Sequence, residues 1–259
     1  MNLKKYLFVW LKTSALSLET MFASKGASLM YLAGKFIRFF FFLWLLLRIG
    51  DQIEKVSGFT VDQLVTFFLV FNLFDIVGQI FFRGVYWFRQ EVVSGKFDLT
   101  LLKPMSALFQ ALTTRTDLLD LPLFLVVIGA LTQRGIGLGL TTWAQFGLMS
   151  AASLLLIAAI HTFVAAIGVL TTEVDHAIMI YRDLSTMARV PIDIYIRPLQ
   201  VLLTFVVPVA VVMTFPAKAF MDLLSVTHLL LGIGLSGLFF LGCLRLWKYA
   251  LREYSSASS

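Results

Sequence analysis

Three polar side chains stand inside an otherwise apolar run. In "FFLVFNLFDIVGQIFF", residues 67–82, Asn72, Asp75 and Gln79 recur at i, i+3 and i+7. On a helix turning 100° per residue they lie within about 60° of one another. A carboxylate in such a run is expensive and must face protein or water rather than lipid. Two chemistries suit the stripe: a cavity lining that touches a substrate or gates a path, and a hydrogen-bond network that holds helices together. His161 stands alone in a second apolar run, where it suits a hydrogen-bonded structural histidine or a ligand or proton relay.

A different kind of polarity interrupts the chain at "RQEVVSGKFDLTLLKPMSAL", residues 89–108, which carries Arg89, Glu91, Lys96, Asp98 and Lys103 with Gly95 and Pro104. "VYWFRQEVVSGKFDLTLLK" has the apolar residues for a short amphipathic helix before Gly95 and another after it. Gly95 permits a sharp turn, and Pro104 with Ser106 restarts the chain. Such an element offers charged and apolar contacts on one face, whether or not a partner takes them.

Catalytic and cofactor signatures are missing. There is no G-x-x-x-x-G-K-[ST] phosphate loop, no H-E-x-x-H pair, no Cys-x-x-Cys and no G-x-S-x-G elbow. The histidines at 161, 176 and 228 are far apart, and Cys243 is the single cysteine. The chain is therefore expected not to be an enzyme, and to carry no metal and no cofactor of its own.

The elements that position these residues are transmembrane helices. Of 259 residues 59% are hydrophobic and only 14% charged, with a mean hydropathy of +0.89; a soluble domain carries nearer a quarter charged. The apolar residues cluster in runs long enough to cross a bilayer, roughly 20 residues each. The expected fold is all-α, with six spans near 29–49, 62–82, 118–134, 143–170, 198–216 and 225–246. Lys35, Arg38 and Arg48 are expected to snorkel from the first span to the interfaces. Pro208 is expected to kink the fifth, and Gly232 with Ser236, four apart, to let the sixth pack closely. Leu3, Tyr6, Leu7, Trp10, Leu11, Leu18, Met21 and Phe22 recur at helical steps, which makes residues 1–26 an amphipathic interfacial helix ahead of a single membrane domain, 27–259.

With the N-terminus inside, the inner segments hold 17 of the 21 lysines and arginines. They are the first 38 residues, 83–115, 171–197 and the stretch from Arg245 on. That bias places both termini and the 83–115 loop in the cytoplasm. The net charge of +6 thus reads as membrane topology, not as a nucleic-acid surface. The loop 171–197 reads as an amphipathic or partly cytoplasmic stretch with Arg182, Asp183 and Arg189 near the inner face.

The order Glu91, Gly95, Asp98, Leu101, Leu102, Lys103, Pro104 resembles the E-x-x-x-G-x-x-x-x-L-L-x-x-P pattern in the cytoplasmic loop of ABC-2-type exporter permeases. The variant "GKFDLTLLKP", with "RVPIDIY" at 189–195 and "REYSSASS" at 252–259, is similar to the six-span subfamily of uncharacterised transport-system permeases. The resemblance implies a permease of the bacterial inner membrane that pairs with a second permease, its own copy or a sister chain. It implies two copies of a cytoplasmic ATPase that hold ATP and Mg. Glu91, Gly95, Lys96, Phe97, Asp98, Leu101, Lys103 and Pro104 then belong to a coupling helix seated on that ATPase. The competing reading is a stand-alone ion- or proton-coupled carrier working through Asp75. It lacks an inverted repeat and a matched pair of Gly/Pro-broken spans. The 25 phenylalanines suit a hydrophobic or amphipathic cargo and suit lipid contact equally.

Overall fold

The computed structural model describes residues 3–171 and 186–255, and within them the chain is helical without strands. The expected amphipathic stretch with Arg182 and Asp183, and residues 256–259 of "REYSSASS", lie outside the described residues. Helix α1 spans Leu3–Phe22, α2 Lys25–Ser57, α3 Val61–Phe82, α4 Val85–Val93, α5 Lys96–Leu101 and α6 Ala107–Thr113. A 3-10 turn at Leu118–Asp120 leads into α7, Leu121–Arg134, and α8 is Leu140–Thr171. Helix α9, Arg197–Val201, runs into a π turn at Leu202–Val206, then α10 covers Val209–Phe220 and α11 Val226–Glu253.

Helix boundaries follow local chemistry. Thr60 and Gln63 form a reciprocal capping box at the start of α3, which satisfies two of its free N–H groups. Gly58, at φ +73°, closes α2 by donating to the Glu54 carbonyl. Ser106 and Ser225 cap α6 and α11, and Pro122 sits in the first turn of α7, where its missing N–H costs nothing.

Four helices are long and apolar enough to cross a membrane, or up to six if each of two bent pairs is one span. The first pair, Ala107–Thr113 and Leu118–Arg134, bends by 51°, and its second limb is the expected third span. The second pair corrects an expectation. Residues 197–206 and 209–220 meet at 100° around Pro208, far more than a kink. Asp193, just before this pair, and Lys218, in the last turn of its second limb, form an ion pair of 2.7 Å, and Lys218 lies over the Phe59 ring. The limbs therefore form a broken span or a re-entrant loop in place of the kinked fifth helix expected at 198–216.

Of the loop expected at 171–197, residues 172–185 lie outside the described residues. Its Asp193 lies at the Phe59 end of the bundle, whereas the last turns of α8 pack at the end that holds Phe88, Phe97 and Trp247. Asp193 thus lies away from the end at which α8 finishes.

Two apolar cores support the bundle. The larger joins α3, α7, α8 and α10; the smaller sits at one end, around Phe88, Phe97, Val164, Ala165 and Trp247. Helix α11 packs on α8 as expected. A Cβ on Gly232 would stand 2.7 Å from Met149 and 3.1 Å from Phe215, and Ser236 is fully buried. Helix α1 divides its apolar face. Trp10 stacks on Phe81 and Tyr6 meets Phe109 edge-on, at ring separations of 5.1 and 4.8 Å, while Leu3, Leu7 and Leu11 stay exposed.

Candidate functional site

Two regions gather the residues singled out above. The first is a platform built from residues 83–115. At its entry Gly84 donates to the Leu112 carbonyl at 3.2 Å, and a Cβ there would stand 2.6 Å from the Ala111 oxygen. Only glycine allows this approach, and it sets α4 against α6. Gly95, at φ +72°, then turns the chain from α4 into α5.

Phe97 is fully buried, with its ring 5.0 Å from Phe88, 5.2 Å from Tyr254 and 6.3 Å from Trp247. Tyr254 donates its hydroxyl to Asp98 at 2.9 Å. The "GKFD" and "REY" motifs, far apart in sequence, thus meet. From the other terminus Lys5 donates to the Pro104 carbonyl at 3.1 Å, and Tyr6 accepts from the Ser106 N–H at 3.1 Å. Both ends of the chain clamp the platform.

The eight residues expected to form one contact surface are therefore divided. Phe97 is the anchor, Asp98 is held by Tyr254 and Gly95 is the hinge. Lys96, Leu101, Lys103 and Pro104 are exposed. They share the surface with Leu99 and Leu102, 63% and 82% exposed, which form its apolar ridge. Tyr254, Trp247 and Leu99 escaped the sequence reading; for Leu99 and Leu102 the i, i+3 spacing beside Lys103 was the available signal. Glu91 is half-buried. Residues 61–93 form a 33-residue apolar stretch about 50 Å long, against roughly 30 Å of hydrocarbon, so this end stands outside the bilayer core. Burial raises the Glu91 carboxyl above its ordinary range, with Lys103, Arg115 and Lys96 pulling the other way.

The second region is a cavity of about 610 Å³ among α2, α3, α8 and the turn at Arg189. Asp75 and Gln79 line it; Asn72, whose amide donates to the Phe68 carbonyl of its own helix at 2.7 Å, borders a smaller adjoining pocket with Asp75, Arg38 and Arg189. Gln79 donates to Asp75 at 3.0 Å and accepts from Lys35 at 3.2 Å. Lys35 is ion-paired with Asp120, stands 3.7 Å from Asp117, and Tyr31 donates to Asp117 at 2.7 Å. Lys35 therefore does not snorkel: its side chain is 10% exposed, with Asp120 wholly buried. Gln79 lines the cavity and ties α2 to α3 through Lys35.

Arg38, Arg83 and Arg189 complete the cavity wall. Arg83 lies over Tyr86 and Arg189 over Phe71, at 4.7 and 6.0 Å. Among the described residues none of the three has a carboxylate within ion-pair distance. His161 also borders the cavity, stacked on Phe82 at 5.2 Å with Nδ1 2.8 Å from the Ile157 carbonyl. No group of three metal-ligating side chains occurs among the described residues.

A family model described as "ABC-2 family transporter protein" matches residues 32–258. No curated protein and no solved structure matches the chain.

Proposed function

The chain belongs to the ABC-2 transporter family, as the membrane-embedded permease of an ABC transporter, and from that premise we propose that it is the permease subunit of an ATP-driven exporter in the bacterial inner membrane. The observation that carries this reading is the platform. It pairs an exposed apolar ridge, Leu99 and Leu102, and rim charges, Lys96 and Lys103, with a base immobilised by Phe97, Trp247 and Tyr254. A lever needs that combination: a surface that enters a cleft on a partner, and a stiff mounting that passes the push onward. The partner is a dimer of cytoplasmic ATPase subunits that hold ATP and Mg. Closure of that dimer pushes α4 and α5, and the helices fused to them reorient around the cavity.

In this reading the chain crosses the bilayer several times, and the limbs 197–206 and 209–220 form a hairpin that dips in from the outer side. Both termini share the platform's side, and 14 of the 21 basic residues lie in the segments there, 1–38, 83–115 and 245–252. That bias supports a cytoplasmic platform, with α1 lying in the inner headgroup layer. A second permease, a copy or a sister chain, closes the open side of the cavity along α2.

Mild-detergent purification from the native membrane, with mass spectrometry of what accompanies the chain, tests the assignment. A cytoplasmic ATPase at one copy per permease is expected, lost on changing Leu99 and Leu102 to Asp. Isolation of the intact chain without an ATPase would overturn the reading and favour a carrier working through Asp75.

A further inference from the structure

We propose that the cavity beside Asp75 is an anion site, which takes an oxyanion head, phosphate or carboxylate, between Arg38 and Arg189 with Arg83 at its border. As a statement about cargo this rests on the permease reading; as a statement about binding it stands on the cavity alone.

Charge balance is the first argument. The described wall holds four cations, Lys35, Arg38, Arg83 and Arg189, and one carboxylate, Asp75. Lys35 is already neutralised from behind by Asp120 and Asp117. Asp75 offsets one arginine through space and gives its oxygen to Gln79, not to a guanidinium. Among the described residues positive charge is left over, and it is costly beside apolar helices unless something anionic occupies the space.

Shape and donor type are the second. A guanidinium presents planar, forked N–H groups that match carboxylate and phosphate oxygens two at a time. The volume, about 610 Å³, is that of a small-molecule site. Phe71, Phe74 and Met213 supply apolar wall beside the charged end, which suits the first carbons of an acyl or isoprenoid chain. Asp75 then faces the incoming oxyanion and repels it. Its carboxylate stands in for the ligand when the cavity is empty and weakens retention when the cavity is filled.

The test uses the full-length chain, with whatever subunits accompany it, in phosphatidylcholine nanodiscs without ATP. Dodecyl phosphate is titrated calorimetrically, with dodecyl maltoside, dodecyltrimethylammonium and inorganic phosphate as comparisons. Saturable binding of dodecyl phosphate alone among the amphiphiles is expected. Arg38→Gln and Arg189→Gln should each weaken it by about tenfold or more, the loss expected for one charged hydrogen-bonding partner. Arg38→Lys and Arg189→Lys should lose less, and Asp75→Asn should tighten it several-fold, a gain that a merely structural role would not produce. Competition by inorganic phosphate at similar affinity would identify a free oxyanion as the source; its absence would identify a tailed, lipid-like one. Equal binding of the neutral or cationic amphiphile overturns the proposal. So do unchanged affinities in the Gln variants that remain monodisperse. Binding without an accompanying ATPase would sink the permease reading and leave the anion site intact, and the converse result would do the opposite.

Discussion

Phe97 and Arg38 both sit beside charged interruptions of an apolar sequence, yet their surroundings are opposite. Around Phe97 the protein closes: Phe88, Trp247 and Tyr254 fill the space, and the Asp98 carboxylate already has a hydroxyl. Around Arg38 the protein stays open: a cavity separates it from Arg189 and Asp75. Dense packing transmits displacement without absorbing it, because rigid interiors deform little. A cavity with excess charge changes state only when a guest arrives. On the proposed function one region is pushed and the other is filled.

The sharpest way to break that contrast is to ask whether Arg189 really belongs to the cavity, which depends on the chain path around Asp193. Asp193→Cys with Lys218→Cys, in a Cys243→Ser background, should cross-link through a short bis-maleimide nearly completely. If 171–197 remained on the platform side, no cross-link could form. Next comes Phe97→Ala, which removes the anchor from a filled core and should cost about 3–5 kcal/mol. Thermal unfolding in detergent reads it, and a shift too small to measure would mean the platform is not rigidly mounted.

Lys35→Met strips the cation from buried Asp120 and Asp117, a loss of about 3–5 kcal/mol for a broken buried pair. Adding Asp120→Leu should return a good part of that. Tyr254→Phe keeps the ring on Phe97 and loses the bond to Asp98, for about 1 kcal/mol; a loss as large as that of Phe97→Ala would show the hydroxyl, not the ring, as the mounting. Smallest is Glu91→Gln. Burial raises the folded-state pKa of Glu91, so its contribution is fully present below the unfolded value and declines as pH rises through the folded one. The variant should match the parent below the ordinary glutamate range and melt slightly higher well above it.

Much of the helical framework was legible, and for a simple reason. Apolar runs of span length admit only a helix in a bilayer, since every backbone group must be satisfied within the segment. Val61–Phe82 and Leu140–Thr171 match the runs read from sequence to within a few residues. The hinge at Gly95 and the restart at Ser106 were legible as well, because a positive φ and an N-cap each demand particular residue types. Pro208 marked a break, but a proline says only that a helix is interrupted, not where the next limb goes.

By itself, then, the sequence determined what each segment must be: helices that bury their backbone, a polar platform between the second and third, and a carboxylate stripe that lipid cannot hold. Tertiary structure alone decided what each segment meets. Lys35 pairs with Asp120 where snorkelling was expected, and Asp193 meets Lys218 across a bend of 100° where only a kink was expected. Local chemistry is set by near neighbours in sequence, whereas ion pairs, cavities and chain reversals depend on residues tens of positions away whose approach no local pattern encodes.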